Sequence, residues 1–460
     1  MQRRILGIAA LPVAALVLAG CATGGGGGGA TAGGLSELKP APVCSTPLAE
    51  APAELGSLPA EPDTSVEGKV TLWGWYNVAP ASATELMAKY YPNVELDFVD
   101  FSLDDTAVKL QTALNAGSGA PDLAMVEDKT LPTVWGGGLY DLSECLAPYE
   151  SSFPEFKQDR VTRADGVKAA VPWEINPAFV TYRRDVFDKY GISADEIKTW
   201  DDYIAAGKSV VEQSGGEVAW TSSNLIDPGN SGSHLLSDII FLTNQNGGTF
   251  FDEEGNSSFN SPQTIEALEL VKSFRDEGIA APDFASKQAE LDALRAGEVA
   301  TFIGPASSRF FMTGAMEDTA GLWGILPLPA FEKGGPRGAV NGGTSIVMPA
   351  QSEDSAAAWA FLRVWLLSTE GRYGSFEAGQ LVENVFLPAA EDPRFQQADP
   401  FYGGDSFLGK SIEAAQEAPI SPSSAKIPQV MDTITANLPS FMDGSLSAAE
   451  LAKLAQAAGE

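Results

Sequence analysis

The sequence predicts an α/β fold. Three observations carry this: strand-like apolar runs alternate with helical runs from about residue 68 onward, 44% of the 460 residues are hydrophobic, and no short internal repeat is present. Alternation of this kind implies a parallel sheet with helices on both faces. That apolar content supports sizeable cores, the length suits one large or two medium domains, and the absence of a repeat argues against solenoids and propellers.

Val70 to Trp75 reads as a buried strand, Ser82 to Tyr91 as a helix and Val94 to Phe98 as a second strand. A helix around Thr106 to Asn115 is closed by Ala116-Gly117, and Leu123 to Val126 is a third apolar strand. Further on, Thr199 is a good N-cap with Asp202 three residues later, and Tyr203, Ile204, Gly207, Val210 and Val211 then share one helical face. Ser261-Pro262 opens another helix, since proline suits the first helical position; it turns Ile265, Leu268, Val271 and Phe274 inward and stops at Gly278. Leu291 to Ala296 is a helix stopped by Gly297, Val299 to Ile303 a strand, and Ala356 to Leu367 a strongly apolar helix. Trp73 reads as core because it lies inside the first strand, as do Trp200, Trp359 and Trp365 on their helices.

The amino terminus assigns the compartment. Arg3 and Arg4 precede an uncharged apolar stretch, Ile5 to Leu18, too short to span a bilayer comfortably. This is the pattern of a secretory signal, placed at residues 1–20. It ends in Leu18-Ala19-Gly20-Cys21, which resembles the lipobox of bacterial lipoproteins and implies acylation of Cys21. The glycine run Gly24 to Gly29 follows, and residues 21–65, rich in Gly, Ala, Pro and Glu, read as a lipidated and mostly disordered tether. With Cys21 assigned to lipid, Cys44 and Cys145 remain; in an oxidising space they pair or stay as two free thiols, and both readings stand.

Composition removes several functions. A net charge of −32 is incompatible with the basic surface that nucleic-acid binding needs. One histidine, His234, and three cysteines do not supply a Cys/His zinc site or a histidine-based triad. No Walker-type phosphate loop or dinucleotide fingerprint occurs, and no cofactor or metal is expected.

The informative clusters pair aromatic rings with carboxylates in loops that follow strands. In open α/β sheets ligands bind at the carboxyl ends of strands. Trp73-Gly74-Trp75-Tyr76 ends the first strand, Glu127-Asp128 follows the third, and Trp173-Glu174 lies between Pro172 and Pro177. A flat ring packs on the C–H face of a sugar, and a carboxylate accepts strong bonds from vicinal hydroxyls. Trp75, Glu127, Trp173 and Glu174 are therefore candidate ligand residues; Asp128 is another, and alternatively caps the next helix.

The order and spacing of several motifs, from about Lys69 to about Leu438, resemble the extracellular solute-binding proteins of bacterial carbohydrate ABC importers, the group that includes maltose-binding protein. The motifs are Ala120-Pro121-Asp122-Leu123, Val171-Pro172-Trp173-Glu174 through Tyr182-Arg183-Arg184-Asp185, Thr199-Trp200-Asp201-Asp202, Leu294-Arg295-Ala296-Gly297 leading to Ile303-Gly304-Pro305, Pro327-Leu328-Pro329, and Asn341-Gly342-Gly343-Thr344-Ser345. The resemblance implies a two-lobe periplasmic-binding-protein-like fold of the class II type, with hinge strands and an interlobe cleft. Residues 66–175 and 341–370 would form the first lobe, and 176–340 and 371–460 the second. It also implies that Asp227, Arg309, Asn341, Gly343 and Tyr402 join the ligand site. The implied protein is a lipid-anchored monomer on the outer face of the membrane that passes a mono- or oligosaccharide to ABC permease subunits and is not an enzyme. One departure is plain: many members carry a stacking Trp after Gly-Pro, where this chain has Ala306-Ser307-Ser308, with Phe310 and Phe311 as substitutes or as core. Two alternatives are a same-fold binder of a polyol, glycerol phosphate or peptide, and a glycoside hydrolase working through paired carboxylates.

Overall fold

The computed structural model describes residues 35–75, 81–222, 234–378, 385–419 and 421–460. Its ten strands are β1 (Lys39–Pro40), β2 (Glu67–Gly74), β3 (Asn93–Asp100), β4 (Leu123–Glu127), β5 (Tyr140–Asp141), β6 (Ala170–Arg183), β7 (Ala219–Thr221), β8 (Val299–Pro305), β9 (Trp323–Pro327) and β10 (Val340–Val347). The main sheet runs β3-β2-β4-β10-β6-β8-β7, and β9 also pairs with β6. β2, β3 and β4 are mutually parallel, as expected for strands joined by helices. β10 is antiparallel to both β4 and β6.

β6 makes this one sheet serve two lobes. Its first half, Ala170 to Pro177, pairs with β10, whereas Ala178 to Tyr182 pair with β8 and Phe179 to Arg183 with β9. The change of partners falls at Pro177-Ala178. Proline cannot donate a ladder bond, so this is where continuous pairing is most easily handed over.

Helices form where their caps and apolar spacing place them. Ser102 accepts from the Asp105 amide at the start of Leu103–Ala116, and Gly117 closes it in the left-handed region. Thr199 and Asp202 form a reciprocal capping box on Trp200–Ser214. Ser261 caps Pro262–Asp276. Ser355–Trp365 buries both Trp359 and Trp365 completely. A second core gathers Tyr203, Trp220 and Phe274 with the carboxyl-terminal helices Ile427–Met442 and Ala448–Gly459.

Two expectations about organisation need correction. Residues 35–65 are not a disordered tether. Leu38, Ala41, Val43 and Ala49 are buried, β1 pairs with β5, and Arg363 Nη1 donates to the Leu48 carbonyl at 2.7 Å. Cys44 and Cys145 form a disulfide that fastens this strap to the first lobe. Scattered apolar residues without periodicity gave no sign of this docking. The second correction concerns the boundary after residue 370, which cuts the helix Thr369–Glu377. That helix packs on Ala81–Tyr90 and Ser355–Trp365 of the first lobe. Its Arg372 donates to the backbone carbonyls of Trp173, Pro172 and Leu366.

Candidate functional site

β10 lies between β4 and β6, and one register row crosses all three strands. Thr344 is opposite Glu127 on β4 and opposite Glu174 on β6. Residues directly opposite in a sheet share a face. Glu127 and Glu174 therefore flank Thr344 on one face, at the carboxyl end of β4 and beside the β6 crossing.

A bulge creates this alignment. Thr344 opposes Glu174 but Ser345 opposes Pro172, so Trp173 is an extra residue on β6. Gly343 makes the close approach possible: a Cβ there would lie 2.3 Å from the Glu174 carbonyl oxygen and 2.9 Å from Ile175 Cα.

A buried ammonium holds the row from behind. Lys157, on the helix Glu155–Val161, is fully buried and ion-paired with Asp128. Its Nζ also donates to the carbonyls of Glu174 (2.7 Å) and Thr344 (2.9 Å). Ser345 Oγ donates to Asp128 Oδ1 at 2.6 Å. Asp128 is thus 2% exposed and fully engaged, and it is neither a free ligand group nor a helix cap. Burial lowers the Lys157 pKa, and Asp128 pulls it back up.

Glu174 is the perturbed group of the row. Burial pushes its carboxyl from an ordinary 4.5 up to about 7; Lys157 and the Thr344 hydroxyl oppose the rise, while Asp128 and Glu127 add to it. Glu127 remains partly exposed and pairs with Lys129 at 3.2 Å.

On the second-lobe side, Asn176 meets the loop after β8. Its Nδ2 donates to Ser307 Oγ, and the Ser307 amide donates back to its Oδ1, both at 3.1 Å. The Ala306 amide donates to the Pro177 carbonyl at 2.8 Å. Sequence reasoning passed over Asn176, although strand alternation marks it: Trp173 and Ile175 are buried, while Glu174 and Asn176 are both partly exposed. Ser307, noted only as a departure from the family pattern, grips this residue.

The other expected residues divide. Arg309 is partly exposed, pairs with Asp399 at 2.8 Å and lies over Phe376 and Phe407. Tyr402 is 1% exposed and stacks on Phe407 at 5.0 Å, so its ring belongs to the core rather than the row. Trp173 is 7% exposed, its ring 5.4 Å from that of Trp365, and it too packs the core. Trp75 directly follows β2 and is a buried core member. Asn341 is placed in β10 by its backbone. Its side chain, those of Phe310 and Phe311, and the whole of Asp227 and Cys21 lie outside the described residues. Aromatic type alone did not separate ring platforms from core rings.

Two cavities, of about 500 and 620 Å³, lie elsewhere: one beside Tyr182, Asp195 and Lys410, the other beside Gly119, Tyr140 and Gln351. Neither includes a residue of the row. No helix among the described residues is long and apolar enough to cross a membrane.

One strand is thus shared by two lobes, with a row of acceptors beside the crossing. Residues 74–373 match the family described as bacterial extracellular solute-binding protein. The chain belongs to that family. Among curated relatives, an arabinooligosaccharide-binding protein of Halalkalibacterium halodurans is 29% identical over 350 residues, covering 74% of this chain and 72% of the relative. A lactose-binding protein of Rhizobium radiobacter is 26% identical, covering 82% of this chain and 89% of the relative. Among solved structures, an ABC-transporter-associated binding protein of B. animalis subsp. lactis, in complex with β-1,6-galactobiose, superposes with a TM-score of 0.69 at 21% identity, covering 85% of this chain and 96% of that one. The two-lobe fold expected for a solute-binding protein is thus the fold observed.

Proposed function

We propose that this solute-binding protein captures an oligosaccharide beside the β6 crossing and delivers it to an ABC import permease. The row Glu127–Thr344–Glu174 carries the reading. It presents two partly exposed carboxylates on one face, on either side of buried Thr344, which suits vicinal sugar hydroxyls, and charged acceptors make the stronger bonds. Asn176, just before the crossing, and Ser307, from the loop after β8, add polar groups. Phosphate esters fit poorly, because the row presents carboxylates and the cations beside it are already paired, Lys157 buried against Asp128 and Lys129 against Glu127. The relatives named for arabino-oligosaccharides and lactose support a sugar ligand. We place the anchor at Cys21, so that the protein sits on the outer face of the membrane. Binding, with no bond made or broken, is the function assigned.

The experiment is a thermal-shift and calorimetry panel of arabino-oligosaccharides, lactose, β-1,6-galactobiose and glycerol 3-phosphate. Ligand at 100 times its Kd adds about 2.7 kcal/mol of stability. Stabilisation by at least one oligosaccharide and none by glycerol 3-phosphate is expected. Stabilisation by glycerol 3-phosphate alone would sink the sugar assignment. Turnover of any of these sugars would sink the non-enzyme reading.

A further inference from the structure

Lys157 touches more of the site than any residue the sequence singled out, yet it cannot meet a ligand, because it is fully buried. Its three polar contacts tie three elements together: Asp128 after β4, the Glu174 carbonyl of β6 and the Thr344 carbonyl of β10. Those are the strands of the row, and the two carbonyls belong to two of its three members. A neutral side chain of the same length would take a charged donor from both carbonyls and leave the Asp128 carboxylate buried without its cation, with Ser345 Oγ still donating to it.

We infer that Lys157 is a positioning residue of the binding site: its ammonium fixes the backbones of Glu174 and Thr344 and holds Glu174 ready to accept sugar hydroxyls. This rests on the proposed role of Glu174 as an acceptor. The charged groups facing Glu174 and Lys157 are Glu127, Asp128 and Arg372, and Arg160 faces Asp128. Among these groups Lys157 lowers the Glu174 pKa, whereas Glu127 and Asp128 raise it. Removing the ammonium therefore leaves the carboxylate facing two acids, with Arg372 as the remaining cation, and drives its titration upward. An interaction with a nearby opposite charge shifts a pKa by about one to three units.

The test uses the full chain as Lys157→Met and, to avoid a buried unpaired carboxylate, as the Asp128→Asn/Lys157→Met double variant. Isotope-detected NMR follows the Glu174 carboxyl in ligand-free protein, the signal being identified by its loss in Glu174→Gln. The wild-type midpoint is expected near neutrality; Lys157→Met moves it up by about one unit or more, and the double variant moves it up by less. Where Lys157→Met does not melt cooperatively, the double variant carries the test. Calorimetry with arabinotriose adds the second arm: wild-type affinity is about tenfold weaker at pH 6 than at pH 8, because only the ionised tenth binds one unit below the midpoint. In Lys157→Met that fall begins at higher pH.

A purely structural role lowers thermal stability and leaves the titration midpoint in place; that result would overturn the inference. Unshifted titration together with pH-dependent arabinotriose binding that is lost in Glu174→Gln would overturn the inference but keep the site. Pass of the titration arm with arabinotriose affinity unchanged by Glu174→Gln would instead remove the site assignment and leave Lys157 as the group that sets Glu174.

Discussion

The indole of Trp173 packs against that of Trp365 at 5.4 Å, tilted by 44°, while its backbone carbonyl accepts from buried Arg372. The bulge that turns Glu174 into the row thus turns Trp173 into the core that holds Trp359 and Trp365. Truncation, Trp173→Ala, should cost about 3–5 kcal/mol, the usual loss for a buried aromatic. Chemical denaturation of the ligand-free protein measures it. Trp173→Phe should lose much less stability and keep sugar affinity within a few fold; a large loss of affinity with intact stability would restore the ring to the ligand.

Glu174→Gln should separate binding from stability. A carboxyl raised from 4.5 to about 7 in the fold binds its proton more tightly there than in the unfolded chain. Its penalty is absent below about 4.5, grows as pH rises and is complete above about 7, on the order of 3 kcal/mol. Gln carries no such penalty, so the variant should match wild type at pH 4.5 and exceed it at pH 8. Its sugar affinity at pH 8 should fall by about 1–3 kcal/mol, the cost of losing a charged acceptor. Paired melts and calorimetry at the two pH values check both signs, and a variant less stable than wild type at pH 8 would contradict the burial account.

The Cys44–Cys145 bridge closes a loop with a sequence separation of 101. Cross-linking a loop of that size restricts the unfolded chain, and removing such a bridge costs about 2–5 kcal/mol. Cys44→Ser and reduction of wild type should lower stability by similar amounts. The strap 35–65 should then become the first site of proteolysis, read by limited digestion and mass spectrometry.

Cys21→Ser should release the protein from the membrane. Detergent partitioning of wild type and variant, expressed with the complete leader, tests this directly; a variant that stays with the membrane fraction as wild type does would remove the anchor.

Which elements form was legible along the chain, because caps and periodicity are local. Thr199-Trp200-Asp201-Asp202 carries its own capping box, and Ser261-Pro262 its own helix start. The α/β class followed from strand–helix alternation, and Glu127 stood out as a carboxylate where a strand ends, whereas Glu174, expected in a loop, lies inside β6. Their meeting could not be read, since they are 47 positions apart and aligned only through Thr344, more than 160 residues further on. Lys157 drew no notice in the sequence, and only the fold buries it against Asp128. Tyr402, Trp173 and Trp75 looked like ligand rings because an aromatic side chain offers the same face to a sugar as to a core. Local sequence determines element type through short-range hydrogen bonds and side-chain spacing; only tertiary packing decides which polar groups lose water and which find partners, and that loss of solvent gives the row its chemistry.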